Sequence, residues 1–239
     1  PMSVALATQL REGTKKSHTM AENTGFVSCF LKGVVDKSTY RKLIADLYFV
    51  YCAMEDEIGR LSEEEHPVIS LICFEELNRR DTLKKDLDFY FGEDCLNLAK
   101  VSVSARAYGE RIRHIANLTP ELLVGHHYTR YIGDLSGGQI LSKIAQKAMN
   151  IQGEDGLRFY QFDLIEDPKK FKLEYSQTLD SLPIDQKMAN LIIEEANLAF
   201  KYNMDMFNEL EGNLIAVIGK LLFSFLTRNS RSGSTEDEI

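Results

Sequence analysis

The chain has 239 residues, which is enough for one domain with a full hydrophobic core. Its hydrophobic content of 44% and charged content of 27% are ordinary for a globular protein, and its formal net charge of −8 argues against broad nucleic-acid binding. The cysteines form no CxxC pair and no zinc-like cluster, so we expect them to be small apolar residues in a reducing compartment: Cys29, Cys52, Cys73 and Cys95.

The sequence predicts neither a membrane segment nor a secretory signal. No apolar run reaches the ~18 residues that a membrane helix needs. The most apolar late segment, residues 214–226, is shorter than that and contains Lys220. The N-terminal segment is amphipathic and carries Arg11 and Lys15, which is unlike a signal peptide. We therefore expect a soluble protein.

Almost every segment has helical periodicity, and no stretch alternates as a β-strand would. The pattern predicts helices over roughly residues 3–23, 26–33, 38–61, 77–91, 102–116, 120–149, 168–179 and 183–227, with a loop over 152–156. The last helix is long enough that we expect a bend near Asn203 or Gly212. The expected fold is a single all-α domain over residues 1–228, followed by a polar, mobile tail over residues 229–239.

The predicted helix over residues 120–149 contains an unusual stretch, YTRYIGDLSGGQIL, at residues 128–141. Three glycines fall within it, and each costs about 1 kcal/mol of helix propensity relative to alanine. Gly133 and Gly137 are four residues apart, so they share one helix face. A bare face lets a flat group lie against the backbone. On the glycines alone, close helix packing or a kink is the favoured explanation.

His18 lies on the predicted inner stripe of the first helix. A histidine on an apolar face is more often a satisfied core residue than a ligand. However, Lys15 and Arg11 lie one and two turns before it, where they can meet carboxylates at the edge of a haem. A neutral imidazole is a good axial ligand for haem iron. A haem between His18 and the bare glycine face would account for both features.

Three segments carry a resemblance to the haem oxygenases. They are LREGTKKSHTMAEN at residues 10–23, YTRYIGDLSGGQ at residues 128–139 and IEEANLAFKYN at residues 193–203. The similarity extends over residues 3–227. FLKG at residues 30–33 and LPID at residues 182–185 resemble the branch of cyanobacteria and algal plastids.

The resemblance implies a helical fold that holds haem between a proximal and a distal helix. It also implies oxidative ring opening of haem b by molecular oxygen, which yields biliverdin IXα, carbon monoxide and ferrous iron. Electrons would come from reduced ferredoxin, and the product would feed phycobilin synthesis. The location would be the cytoplasm of a cyanobacterium or a plastid stroma.

The same resemblance assigns roles to individual residues. His18 matches the proximal iron ligand, and Glu22 a carboxylate that supports it. Gly133 and Gly137 match the distal glycines, and Asp134 an aspartate that acts through ordered water. Further members of the pocket or its water network are Tyr51, Arg130, Tyr128, Phe200 and Asn203. Haem propionates would be held by Arg11, Lys15, Lys172 and Tyr175.

For three of these residues a second interpretation stays open. Tyr51 could be an ordinary core aromatic. Arg130 could pair with a surface carboxylate, and Glu22 could serve capping or a salt bridge. The sequence also departs from the family pattern at Ser176, which stands where an arginine is expected. We expect looser haem anchoring there, with the α isomer still dominant because the distal helix determines it.

No flavin, nicotinamide or iron–sulfur motif is present, so the reductant must come from outside. Ferredoxin is acidic, and a chain of net charge −8 would need a local basic face for it. The expected face holds Arg11, Lys15, Lys16 and Lys172. A downstream bilin reductase is a further expected partner, and the protein is expected to be a monomer.

Two other functions stay open. The protein could be a haem carrier without catalysis, or a helical interaction module whose glycines serve packing only.

Overall fold

The computed structural model describes the backbone of residues 5–230 and the side chains of residues 5–211. Within residues 5–230 the chain forms helices and no strand, which confirms the all-α prediction. The α-helices are α1 (Leu6–Glu22), α2 (Gly25–Leu31), α3 (Lys37–Glu63), α4 (Arg80–Phe91), α5 (Cys95–Leu98), α6 (Val103–Leu118), α7 (Leu123–His127), α8 (Gly133–Met149), α9 (Pro168–Ser181) and α10 (Gln186–Ser230). Short 3₁₀ turns occupy Ile69–Ile72, Glu75–Leu77, Pro120–Leu122 and Arg158–Tyr160.

Local sequence explains where several helices begin. The side chain of Asp36 accepts a hydrogen bond from the Thr39 amide at the start of α3. Asp167 does the same for α9, directly before Pro168 at the first helical position. Each carboxylate satisfies an amide that has no partner within its own helix. Asp167 therefore caps α9, which begins at the first residue predicted for this helix.

The glycine-bearing segment differs from its prediction. Instead of one helix over residues 120–149, the chain forms the 3₁₀ turn, then α7, then a π-helical turn at Tyr128–Ile132, and then α8. A π turn holds one more residue than an α turn, and such turns are common at functional sites. The regular helix resumes at Gly133, so the first of the unusual glycines stands at this junction.

α3 passes through the middle of the core, and one stripe of it is buried: Leu43, Leu47, Val50, Tyr51 and Met54. α10 runs unbroken over 45 residues. The first two residues of the predicted tail belong to α10, and the rest of the tail lies outside the described residues.

All four cysteines are free. Cys95 is buried, but Cys29 is exposed and does not fill the apolar role expected of it.

In the part of the chain that the structure describes, no helix combines the length and hydropathy required to cross a membrane.

α7 and α10 approach each other closely at Gly125. A Cβ built at Gly125 would lie 2.8 Å from the Ala196 nitrogen and 2.8 Å from the Ile192 oxygen, and both of these are backbone atoms. Glycine is required here because neither backbone can move aside without moving its helix. This contact joins the segment that carries the glycines to the longest helix of the fold.

Gly125→Ala is expected to destabilise the protein by about 1–3 kcal/mol, because the added methyl group overpacks the contact between two backbones. Urea unfolding followed by circular dichroism measures this. Gly59→Ala, in the interior of α3 where a Cβ meets nothing within 4 Å, is the matched control. It should stabilise by up to about 1 kcal/mol. Equal stabilities of the two variants would contradict the close contact.

Candidate active site

A cavity of about 840 Å³ lies between α1 and α8, with α10 closing one side. Ten of the predicted site residues line it: Arg11, Lys15, His18, Glu22, Tyr128, Arg130, Gly133, Asp134, Gly137 and Phe200. The volume falls within the range of small-molecule and cofactor sites. Residues that are far apart in the sequence, on the first helix and on the glycine-bearing segment, therefore face one space.

His18 faces this cavity and is not a core residue. Its side chain is 60% exposed, which excludes the core interpretation. The Nδ1 atom lies 3.7 Å from Glu22 Oε1, and the ring meets Phe200 edge-on with centroids 5.9 Å apart. Among the described residues Nε2 has no partner. A histidine held in this way presents one free ring nitrogen to a ligand.

The opposite wall is bare backbone. A Cβ built at Gly133 or at Gly137 would meet nothing within 4 Å. Gly138 is different, because its Cβ would lie 3.4 Å from the Tyr160 ring. At Gly125 two helices do touch, so a packing glycine is recognisable in this structure. Gly133 and Gly137 are not packed against any described residue, and the packing explanation fails for both.

Asp134 joins a buried polar network beside the glycines. Arg130 Nη2 donates to Asp134 Oδ1 at 2.9 Å, and the Tyr51 hydroxyl donates to Asp134 Oδ2. Arg130 Nη1 donates to Asn203 Oδ1 at 2.8 Å. Burial raises the pKa of the Asp134 carboxyl well above its ordinary value and lowers the pKa of Arg130. Arg130 therefore pairs inside the protein and not at the surface, and Tyr51 has a polar partner in the network.

The network continues away from the cavity through residues that the sequence reasoning missed. Asn203 Nδ2 donates to the Tyr108 hydroxyl at 3.5 Å, which lies 3.3 Å from His126 Nδ1. His126 Nε2 lies 2.7 Å from Glu195 Oε1, and Arg111 binds the same carboxylate at 2.6 and 2.9 Å. His126 stands four residues before Arg130, and this helical spacing is the signal that would find it.

The carboxylate at the end of this chain is strongly stabilised. Burial alone would raise the pKa of Glu195, but hydrogen bonds from His126 and Arg111 outweigh it and lower the pKa to about 2. Glu195 therefore stays charged and holds α10 to α6 and α7. The polar network that starts at Asp134 ends on a fixed ion pair.

Cationic side chains stand at the mouth of the cavity. Lys15 and Arg11 line it, and Arg11 also forms an exposed pair with Glu12 at 3.2 Å. Lys172 does not line the cavity, but its Nζ lies 3.5 Å from the hydroxyl of Ser136, which does. Lys16 is exposed outside the cavity.

Two positions of α9 contribute nothing to the cavity. The Ser176 hydroxyl donates to the Lys172 carbonyl within the helix. Tyr175 is fully buried, and its hydroxyl lies 2.8 Å from His127 Nδ1, with the two rings stacked. The structure therefore places Tyr175 in the core and not at the cavity, because its side of α9 packs against His127.

Several lining residues were not identified from the sequence. The signal for Phe207 is its spacing of seven residues from Phe200, which puts both on one face of α10. The others are Glu12, Thr14, Thr19, Ala21, Val27, Thr129, Ile132, Ser136 and Leu141. Val27 comes from α2, whose approach to α8 depends on tertiary packing.

Several known proteins are similar to this chain in sequence and in fold. Residues 4–209 match the family model described as Heme oxygenase. The chain is 58% identical to heme oxygenase 1 of Synechocystis sp., over 98% of this chain and 97% of that protein. It is 52% identical to the heme oxygenase of Porphyra purpurea, over 93% of this chain and 94% of that one. A crystal structure of the cyanobacterial heme oxygenase-1 from Synechocystis, in complex with heme, matches with a TM-score of 0.86 at 57% identity, covering 92% of this chain and 99% of that chain.

The buried His127 makes stability dependent on pH. Burial lowers its pKa from 6.5 to about 3, so the folded state keeps it neutral where the unfolded chain would protonate it. The unfolded state then binds more protons, and stability is lost as the pH falls from about 6.5 towards 3. The loss from this one group is up to about 1.4 kcal/mol per pH unit.

His127→Gln should reduce that slope by about this amount in urea unfolding at a series of pH values. The control is His114→Ala, which removes an exposed histidine of α6 and should leave the slope unchanged. Parallel curves for wild type and His127→Gln would contradict the assignment.

Proposed function

The chain belongs to the haem oxygenase family, and from that premise we propose that it opens haem b with molecular oxygen to biliverdin IXα, carbon monoxide and ferrous iron. The electrons come from reduced ferredoxin in this proposal. The observation that carries it is the slot between a histidine with a free ring nitrogen and two glycines whose Cβ positions are empty. A flat macrocycle fits such a slot, and a side chain at either glycine would fill it.

When bound, the haem supplies the iron at which oxygen is activated, and its own ring is the substrate. His18 would hold the iron through Nε2, the ring nitrogen that has no partner among the described residues. Glu22 is close enough to Nδ1 to fix the ring orientation and the tautomer after a small rotation, as carboxylates beside metal-bound histidines do. Phe200 limits rotation of the imidazole by its edge-on contact.

The glycine wall determines where on the ring the reaction occurs. With no side chain at positions 133 and 137, the α8 backbone would lie against a bound macrocycle and would close the edges that it covers. No acid or imidazole from these positions crowds the oxygen side. The open edge then determines the α product.

Asp134 supports the reaction from beside the glycines. Its carboxyl is held by Arg130 and Tyr51, so it has a fixed position. Burial raises the pKa of the Asp134 carboxyl above its ordinary value, which favours its protonated form relative to an exposed aspartate, and a protonated carboxyl can act as a general acid. Acting through an ordered water, it delivers protons without occupying the oxygen site.

The two carboxylates of haem are anions and would need positive charge at the mouth of the cavity. Lys15, Arg11 and Lys172 would supply it, and Tyr128 lines the cavity as well. Without an arginine at position 176, the haem carboxylates are bound more weakly than in the family pattern. The α isomer of the product remains dominant, because the glycine wall determines the isomer and the binding of the carboxylates does not.

The same basic face docks ferredoxin in this proposal, next to the exposed haem edge. The curated relatives from Synechocystis and Porphyra support a phycobilin-forming role in a cyanobacterial cytoplasm or a plastid stroma. A bilin reductase then takes the product, and the enzyme acts as a monomer.

The direct test is addition of haem, ferredoxin, its reductase and NADPH, followed by the biliverdin absorption spectrum. Wild type should turn over. His18→Ala should lose the axial-nitrogen signature and at least about 100-fold of the activity, since even indirect partners of a metal ligand cost 10–100-fold. His114→Ala is the matched control and should behave as wild type. Haem binding without turnover in wild type would instead select a carrier.

Gly137→Leu separates folding from function. The Cβ of a leucine at this position would meet no described atom within 4 Å, and leucine is a better helix former than glycine, so unfolding should be no easier than in wild type. Turnover should fall at least about tenfold, or the isomer seen by chromatography should change, because the side chain fills the slot. Gly59→Leu, at another unobstructed helical glycine, should leave activity unchanged. Full activity with the α isomer in Gly137→Leu would refute the glycine wall.

Docking on the basic face predicts a rate of reduction by ferredoxin that falls roughly tenfold as salt screens the charges. Lys16→Gln, outside the cavity, should lower that salt dependence. Lys85→Gln, an exposed lysine on α4, is the control and should leave it intact. A rate that is insensitive to salt would exclude this face.

A further inference from the structure

The half of α1 that carries His18 has little burial to hold it. The buried residues of α1 are Leu6, Leu10 and Thr14, all before His18. From residue 15 to residue 22 no side chain of α1 is fully buried. Hydrophobic packing therefore fixes the first half of the helix, and something else must fix the second half.

A single polar contact does so. The Asn197 side chain of α10 accepts a hydrogen bond from the Ser17 hydroxyl at 2.5 Å and donates to the Gly13 carbonyl at 3.1 Å. It also donates to its own Ile193 carbonyl at 2.9 Å, which fixes its rotamer. Among the described residues, the Ser17 bond is the only hydrogen bond between residues 15–22 and α10. The Ala21 carbonyl also accepts a hydrogen bond from the Thr24 hydroxyl at 2.8 Å, but Thr24 directly follows α1 in the chain and does not join it to α10. We call Asn197, Ser17 and Gly13 the Asn197 bridge.

The bridge stands where it can control the ligand. Gly13 and Ser17 are one helical turn apart, and Ser17 is the direct neighbour of His18. At Gly13 the two helices are in contact, since a Cβ there would lie 2.6 Å from Ile193 Cγ2. Asn197 itself does not line the cavity.

The same helix reaches the opposite wall. Asn203, six residues after Asn197, binds Arg130 of the distal network. Six residues advance about 9 Å along a helix. One rigid element thus contacts both the proximal helix and the distal network, through two asparagines.

We propose that Asn197 is a positioning residue that sets the height and tilt of His18 against the glycine wall, acting through Ser17 and Gly13. This rests on the proposed function of His18 as the iron ligand. Loss of the bridge leaves the core intact but lets the second half of α1 move, so the imidazole samples several orientations.

The test compares Asn197→Ala, Ser17→Ala and the control Asn190→Ala. The control removes an amide of α10 whose one hydrogen bond among the described residues is accepted from Gln186 of the same helix. The first readout needs no haem. Hydrogen exchange of amides 17–22 should be faster in Asn197→Ala and unchanged at Leu6 and Leu10, while Asn190→Ala should exchange as wild type.

The second readout is the iron–histidine stretching band of the ferrous haem complex. It should shift or broaden in Asn197→Ala, less so in Ser17→Ala, and haem affinity should fall about fivefold, the loss that one or two hydrogen bonds of this kind produce. Asn197→Asp, which retains the acceptor for Ser17, should restore part of the wild-type band. Faster exchange with an unchanged band would make the bridge merely structural and overturn the proposal, and so would unchanged exchange.

The two proposals fail in different ways. If His18 is not the ligand, wild type and His18→Ala give the same haem spectrum, whatever Asn197→Ala does. If only the positioning role is wrong, wild type shows the iron–histidine band and Asn197→Ala shows it unaltered.

Discussion

The close contact between α7 and α10 at Gly125 is the constraint on which the rest of the site depends. It brings the glycine-bearing segment against the longest helix of the fold, and that helix also carries Asn197, Phe200 and Asn203. Because the two backbones touch, the distal segment has no freedom to move along α10. The π turn then begins one turn beyond the contact and leads into Gly133. The position of the bare glycine wall is thus fixed by contact between the backbones of α7 and α10. Side chains, which could repack, do not determine it.

The polar interior complements that contact. Asp134, Arg130 and Tyr51 form a compact group beside the cavity, and Asn203 ties it to α10. A buried group of this kind is costly unless every member has a partner. Here the charges are paired, and the chain of partners extends to Glu195, whose pKa of about 2 keeps it ionised. Because Arg130 and Tyr51 bind it, the Asp134 carboxyl can hold a fixed position at the edge of the cavity.

Much of this could be predicted from the sequence. Helical periodicity predicted the all-α architecture, since the buried stripe of each helix leaves its pattern in that helix's own sequence. The spacing of Gly133 and Gly137, together with His18, indicated the two walls of the cavity.

Other features depend on contacts between distant elements. The π turn, the place of Tyr175 beside His127, and the chain through Tyr108 and His126 all require knowing which helices meet. Spacing along one helix does not determine which neighbour packs on each of its sides. The sequence therefore could not show that Tyr175 lies beside His127, and the prediction that it lies at the cavity was wrong.

The emptiness beside Gly133 and Gly137 has a consequence for how this chain tolerates change. Nothing in its folding opposes a larger residue at either position, since the space is open and other residues form helix more readily. Selection for thermal stability alone would replace both glycines. Their presence means that the protein is held below the stability that its own fold permits, which is the usual sign of a trade-off with activity. A library of variants sorted only by folding would therefore lose the glycine pair first, and with it the space that the site is built around.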